Sequence, residues 1–458
     1  MSGPAERVDV VVVGGGPCGL TAALEASRRG LSVQLVEAAP TLGGMAASFT
    51  VAGQRVDYGS HRLHPSMAPR VRELLVELLG DDLQVRERNG RLRLRDRWVA
   101  FPLQPADLAR SLPASFIVSS ARDAMTAPFR RATNDSYAEV VRTGLGPTAL
   151  ADFHGPMAHK LWGVPASELS GYLARKRLSV RTPTSLIRTI AKATRPSGRT
   201  FLYPRLGYGQ IVEQLAEAAT SSGAQLLTST SVVRLTTGSG GPTVELDSGS
   251  VLAAKRVLWT GSPSSLATAL GQKAPELAPA RGMVLAYLVV ATERYTGHDA
   301  HYVPDLDVAF SRLSEPRNYR DGPDPDGQTV LCAEIPCSPG DDTWRCADDA
   351  IESMVIDGLG RLDLPTPAVR GIEVRRLPSV YPIATVDDPG APKRALHETD
   401  DLEGVTVLGR QGLLVADNLH HVIDMAQSAI DCFDASGAWS SPEWSRQRLR
   451  FDGFVVED

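Results

Sequence analysis

Cysteine is scarce in this chain: Cys18, Cys332, Cys337, Cys346 and Cys432 are the five among 458 residues, and no two form a C-x-x-C pair. That leaves neither a disulfide framework nor a zinc ribbon to organise the fold, and reduced thiols suit a cytoplasmic location. Long apolar runs are missing too. The longest, Met283 to Ala291, is of strand length and falls short of the roughly 18 residues that span a bilayer. The N-terminus enters a strand-like run without the apolar stretch and small-residue cleavage site of a signal peptide, so a soluble protein is expected. Neither sign of charge prevails, since 48 Lys and Arg stand against 53 Asp and Glu. From that balance neither nucleic acid nor a membrane surface is expected as a partner.

What is present is an ordinary globular composition, 43% hydrophobic and 22% charged, with length for about three domain-sized units. Val8 to Val13 is a β-branched run ended by Gly14-Gly15-Gly16. Leu20, Ala23, Leu24 and Ala26 then recur at helical spacing until Gly30, and Leu31 to Val36 is a second apolar run. Strand, helix and strand in about 30 residues make a βαβ unit, whose parallel strands are buried on both faces.

Gly14, Gly16 and Gly19 form G-x-G-x-x-G at the turn of that unit, and Glu37 ends its second strand. Glycines permit a tight turn and a close approach of backbone to pyrophosphate; the helix N-terminus offers unpaired N–H groups; the carboxylate accepts ribose hydroxyls. A carboxylate there also disfavours a 2′-phosphate. The residues alone leave NAD and FAD open.

Beyond Glu37 the chain continues Ala38-Ala39-Pro40-Thr41-Leu42-Gly43-Gly44. Gly14 to Gly44 resembles the extended FAD fingerprint of glutathione-reductase-type flavoproteins, in particular the superfamily of amine oxidases, protoporphyrinogen oxidases and UDP-galactopyranose mutases. Further segments are similar to that superfamily: Val56 to His64, with Gly59-Ser60-His61; the strand around Val232; Leu258 to Pro263; and Leu408-Gly409-Arg410 followed by Asn418 and a helix. The resemblance implies FAD as cofactor, with contacts from Gly14, Gly16, Gly19, Glu37, Gly43, Gly44, Gly59, Ser60, His61, Val232, Gly409, Arg410, Asn418, His420 and Val422. His420 and Ala426 stand where relatives usually carry an acidic residue and a glycine.

The implied fold class is α/β: a glutathione-reductase-type Rossmann-like FAD-binding domain, a second mixed-sheet substrate domain and a helical insertion. The expected division gives residues 1–100, 206–275 and 401–458 to the FAD-binding domain, 101–205 to a helical cap and 276–400 to the mixed sheet. Gly238 to Gly241 reads as a hairpin turn rather than a second dinucleotide site. No dedicated NAD(P)H domain is therefore expected, and oxygen or another acceptor would reoxidise the flavin.

His61 is the candidate catalytic side chain, as a proton shuttle or as a packed residue shaping the pocket. Cys18, at a helix N-terminus, is placed where the dipole lowers a thiol pKa, although packing is its expected role. Asp417, His420, His421 and Asp424 are metal-ligand types, but consecutive histidines converge poorly on one ion and no metal is expected. Nine basic residues and no acidic one lie from Arg175 to Arg205, a pattern that suits an anionic partner or a solvated face. Arg205, Tyr302 and Arg312 are the substrate candidates.

The expected function is an FAD-dependent oxidoreductase, an oxidase, dehydrogenase or desaturase, that takes hydride from a C–H bond of a small-molecule substrate to flavin N5. The alternative is a non-redox sugar-nucleotide mutase resembling UDP-galactopyranose mutase.

Overall fold

A computed structural model describes residues 6–178, 200–396, 402–415 and 417–456. The run read as a buried parallel strand is Glu6–Val13, at the centre of a seven-stranded sheet. It lies parallel to Val33–Val36 on one side and to Val251–Trp259 on the other, with Val13 opposite both Val36 and Trp259. Gln225–Leu227 extends the sheet beyond Val33–Val36, and Val405–Val407 extends it beyond the end of Val251–Trp259, both parallel. Five parallel strands thus end level with the glycine turn, the edge at which ligands bind in open α/β sheets. The antiparallel pair Val232–Thr236 and Thr243–Leu246 closes one margin, with Gly238 to Gly241 in the hairpin turn between them.

Val10, Val11 and Val12 are wholly buried because both faces of the sheet are covered. Helix Pro17–Arg28 packs against helices Gln210–Ser221 and Leu419–Ile430, which brings three distant stretches of chain together over one core.

The second sheet is also seven-stranded and mixed, in the order Val369–Pro382, Ala280–Val290, Thr329–Cys337, Arg312–Ser314, Ala300–Tyr302, Gly90–Leu94 and Arg97–Phe101. Gly90–Leu94 pairs with Ala300–Tyr302 through His301 and Tyr302, so this hairpin joins the second sheet and not the first. Pairing across about two hundred residues leaves no local pattern by which to assign it. The helical insertion is present between Pro105 and Arg177, and one turn of it, Leu150–His154, is a π-helix.

Candidate active site

The first glycine turn separates its three glycines by what surrounds them. Gly14 has φ +106°, and a Cβ there would sit 2.2 Å from the Thr260 hydroxyl; a Cβ on Gly19 would sit 1.9 Å from the Gly14 carbonyl oxygen. Both are required by the protein's own packing. A Cβ on Gly16 would meet nothing within 4 Å. Gly16 is the N-cap of helix Pro17–Arg28 and supplies no capping side chain, so the helix N–H groups open onto free space.

That space is a cavity of about 730 Å³ which begins at Gly14, Gly16 and Glu37 and ends among residues of the second sheet and the helical insertion. Glu37 is fixed at its rim: one carboxylate oxygen accepts from Gly15 N at 2.6 Å and the other from Ala39 N at 2.7 Å. Gly43 donates its N–H to the Gly15 carbonyl at 2.8 Å, which ties the second glycine pair to the first. Gly44, φ +53°, then lines the cavity beside Gly16.

Gly409, Arg410, Asn418 and Val422 also line the cavity, with Gly409 packed against Cys18 and Thr260 beside the first glycine turn. Arg410 Nη1 donates to the Asp417 carboxylate and carbonyl, both at 3.0 Å. Burial pushes the Asp417 carboxyl up to about 6 against the pull of Arg410. Asn418 caps helix Leu419–Ile430 in a reciprocal capping box with His421, whose Nδ1 accepts the Asn418 N–H at 3.1 Å. His420 is buried in that helix and does not line the cavity, and Asp424 pairs with Arg70 and Arg450. The four metal-ligand types therefore have separate duties, and among the described residues no group of three such side chains is placed to hold an ion.

The segment Tyr58 to Arg62 lines the cavity and is held in place from the second sheet. Glu334, from strand Thr329–Cys337, accepts the Ser60 N–H at 2.8 Å. Arg312 donates to the Ser60 carbonyl at 3.2 Å and grips Glu334 through two bonds of 2.8 Å. An ion pair thus holds both the backbone N–H and the backbone C=O of one residue. On the other side Asp57 accepts from Ser48 Oγ at 2.6 Å, from Tyr208 N at 3.0 Å and from the Tyr203 hydroxyl. His61 stacks on Tyr208 with ring centroids 5.0 Å apart. Burial, opposed by Asp57 and reinforced by Arg312 and Arg410, lowers its pKa to about 4, so the imidazole is neutral at pH 7.

Tyr302 and Arg312 line the cavity; Arg205 does not, and pairs instead with Asp82 at 2.8 Å. Arg181, Arg188, Lys192, Arg195 and Arg199 lie outside the described residues. Val232 is also away from the cavity, in register with Leu246 at the sheet margin. Cys18 corrects one expectation, since burial raises its thiol pKa, with Asp417 adding, and overrides the helix N-terminus. Sequence reasoning missed Glu334, Asp57, Trp162 and Tyr381, and held Arg177 only as one of nine basic residues. Of the four, Glu334 left a signal, as a lone acid inside the apolar run Val330 to Ile335.

An open glycine cradle at a helix N-terminus, a fixed carboxylate and a long recess fit a dinucleotide. The model of the flavin containing amine oxidoreductases matches residues 17–423. The chain belongs to this family. Its cofactor is accordingly FAD, and it is an FAD-dependent oxidoreductase. A curated relative, coproporphyrinogen III oxidase of Propionibacterium freudenreichii subsp. freudenreichii, is 26% identical over 419 residues, 77% of either chain. Reduced UDP-galactopyranose mutase shares the fold at TM-score 0.77 and 18% identity, over 98% of this chain and 100% of that one. Putrescine oxidase bound to putrescine does so at TM-score 0.63 and 16% identity, over 93% and 99%. The flavoenzyme has, among its described residues, no helix long and apolar enough to cross a membrane.

Proposed function

We propose that this enzyme oxidises a small anionic molecule by removing hydride from a C–H bond, and that Arg177 anchors the substrate's anionic group. When bound, FAD supplies the hydride acceptor at N5. The chain would hold it through Gly14, Gly16, Glu37 and Gly44 together with Gly409, Arg410, Asn418 and Val422, all of which line the cavity. The Arg312–Glu334 clamp fixes the Ser60 backbone along the recess, and the neutral His61, stacked on Tyr208, shapes it.

The observation that carries the substrate class is Arg177. Its guanidinium lies between Trp162, 5.1 Å from the ring centroid, and Tyr381, at 4.8 Å, and all three line the cavity. Among the described residues no carboxylate pairs with it, whereas Arg62 faces Asp299, Arg312 faces Glu334 and Arg410 faces Asp417. A stacked, unneutralised guanidinium is pre-organised for a carboxylate or phosphate. Coproporphyrinogen III, named for the curated relative, is a polycarboxylate and suits such a wall; putrescine, a dication, does not.

Anaerobic mixing tests the reading. Coproporphyrinogen III should bleach the flavin absorbance, and putrescine should leave it unchanged. Arg177→Ala should raise KM about ten- to a hundredfold with kcat little changed, the effect of losing a bond of about 1.5–3 kcal/mol. Bleaching by putrescine alone would overturn the proposal, as would isomerisation of a sugar nucleotide without net oxidation.

A further inference from the structure

We infer that the helical insertion carries a docking surface for an anionic lipid bilayer, formed by helix Ala114–Thr126 and the turns on either side of it. Five of the twelve large apolar side chains exposed among the described residues fall between Leu103 and Phe129. Val118 is 67% exposed, Met125 71% and Phe129 83%. With Ala114 and Ala121, also exposed, they recur every three or four residues, so the helix presents an apolar stripe to solvent along its length. A helix that packs only on a protein core has its stripe facing inward. Here the inward positions are also apolar: Phe116 joins a cluster with Leu92, Val99, Phe101, Phe153 and Tyr302, and Ala127 is buried.

The charges around the stripe select the partner. Between Leu103 and Thr133 the chain has four arginines and two aspartates. Both aspartates turn inward: Asp107 accepts the Ala100 N–H at 2.7 Å, and Asp123 is buried and accepts the Thr148 N–H at 2.8 Å. Arg110, Arg122 and Arg131 are exposed, and no carboxylate among the described residues pairs with them. An apolar stripe bordered by cations, in a segment whose own aspartates turn inward, is the arrangement that seats a helix at a lipid interface, its apolar face among the acyl chains and its arginines among acidic headgroups. The net negative charge of the molecule as a whole does not oppose this, because an exposed patch is felt only over about a Debye length of 8–10 Å. The same helix is one layer from the cavity: Phe101, Phe153 and Tyr302, which share the cluster with Phe116, line it. Docking in this way places the cavity wall next to the bilayer.

Co-sedimentation of the FAD-loaded enzyme with phosphatidylglycerol vesicles and with phosphatidylcholine vesicles tests the inference. Binding to phosphatidylglycerol is expected, weaker at high salt, with little binding to phosphatidylcholine. The triple variant Val118→Asp, Met125→Asp, Phe129→Asp should lose binding at least tenfold while keeping its flavin absorbance, and so should Arg110→Glu, Arg122→Glu, Arg131→Glu. Leu449→Asp, at an equally exposed leucine of helix Ser441–Phe451, should bind as the parent does. Failure of the parent enzyme to sediment with phosphatidylglycerol overturns the proposal, as does equal binding by the first triple variant. A vesicle-free dimer that the same variant dissociates overturns it too, and gives the stripe to a second copy of the chain.

Discussion

Gly14, Gly16 and Gly19 answer to different neighbours, and their substitutions should separate accordingly. Gly19→Ala drives a methyl group to 1.9 Å from a backbone oxygen, so it should lower thermal stability with or without cofactor. Gly16 has φ −74° and open space before it, so Gly16→Val should leave the apoprotein's melting temperature nearly unchanged and abolish flavin absorbance. Normal flavin content in Gly16→Val would remove the pyrophosphate from this turn. Arg410→Ala should weaken FAD retention, and it should also leave Asp417 buried without its cation, which costs about 1–3 kcal/mol or more. Equilibrium dialysis with FAD measures the first effect and thermal unfolding of the apoprotein the second. The glycine spacing was legible in the sequence, whereas the distinction among its members depends on Thr260, which lies some 240 residues along the chain.

Among elements, the clearest unit is the clamp that strands Arg312–Ser314 and Thr329–Cys337 close on the Ser60 peptide. Arg312 was a substrate candidate by its place in the sequence, and the structure commits its guanidinium to Glu334 and the Ser60 carbonyl. Removing one member of a pair this buried strands the other, so Arg312→Ala and Glu334→Ala should each cost roughly 3–5 kcal/mol. The double variant should cost clearly less than the two together, as thermal or urea unfolding of all four proteins would show. Strictly additive losses would mean that the two side chains act separately. Strands with strong β-branched runs, such as Ala280–Val290 and Thr329–Cys337, were legible within a few residues. The hairpin Gly90 to Phe101 was visible only as strand-like pieces, because its partner is fixed by tertiary pairing and not by local pattern. Arg177, Trp162 and Tyr381 come from a helix, a second helix and a distant strand, and no spacing in the sequence announces their convergence.

For the molecule as a whole, the balance of buried titrating groups sets how it responds to acid. Burial lowers the pKa of His61, His154 and His301 from 6.5 to about 4, with the nearby His298 and Arg91 contributing at His301. In the unfolded chain each of these takes up a proton near pH 6.5, and in the folded protein only near pH 4. Between those values the unfolded state therefore binds more protons, and stability falls as the pH is lowered. At 1.36 kcal/mol per pKa unit, each histidine accounts for on the order of 3 kcal/mol across the window. Asp417 has the opposite sign. Its folded value of about 6 lies above the ordinary 3.8, so the cost of burying its charge disappears as the pH falls through that range. Glu315, whose carboxyl burial also raises, acts in the same sense; the two carboxyls offset part of the histidine contribution, and the remaining histidine effect prevails. The melting temperature should accordingly decline steadily from pH 6.5 towards pH 4, before most surface carboxylates titrate. His301 is the informative site because it sits in the second sheet, on strand Ala300–Tyr302 against Trp98, away from the cavity and its cofactor. His301→Gln should lower stability at neutral pH through lost packing, yet flatten the decline by about one histidine's share. A decline of unchanged slope in that variant would show that the acid response comes from groups other than the buried imidazoles.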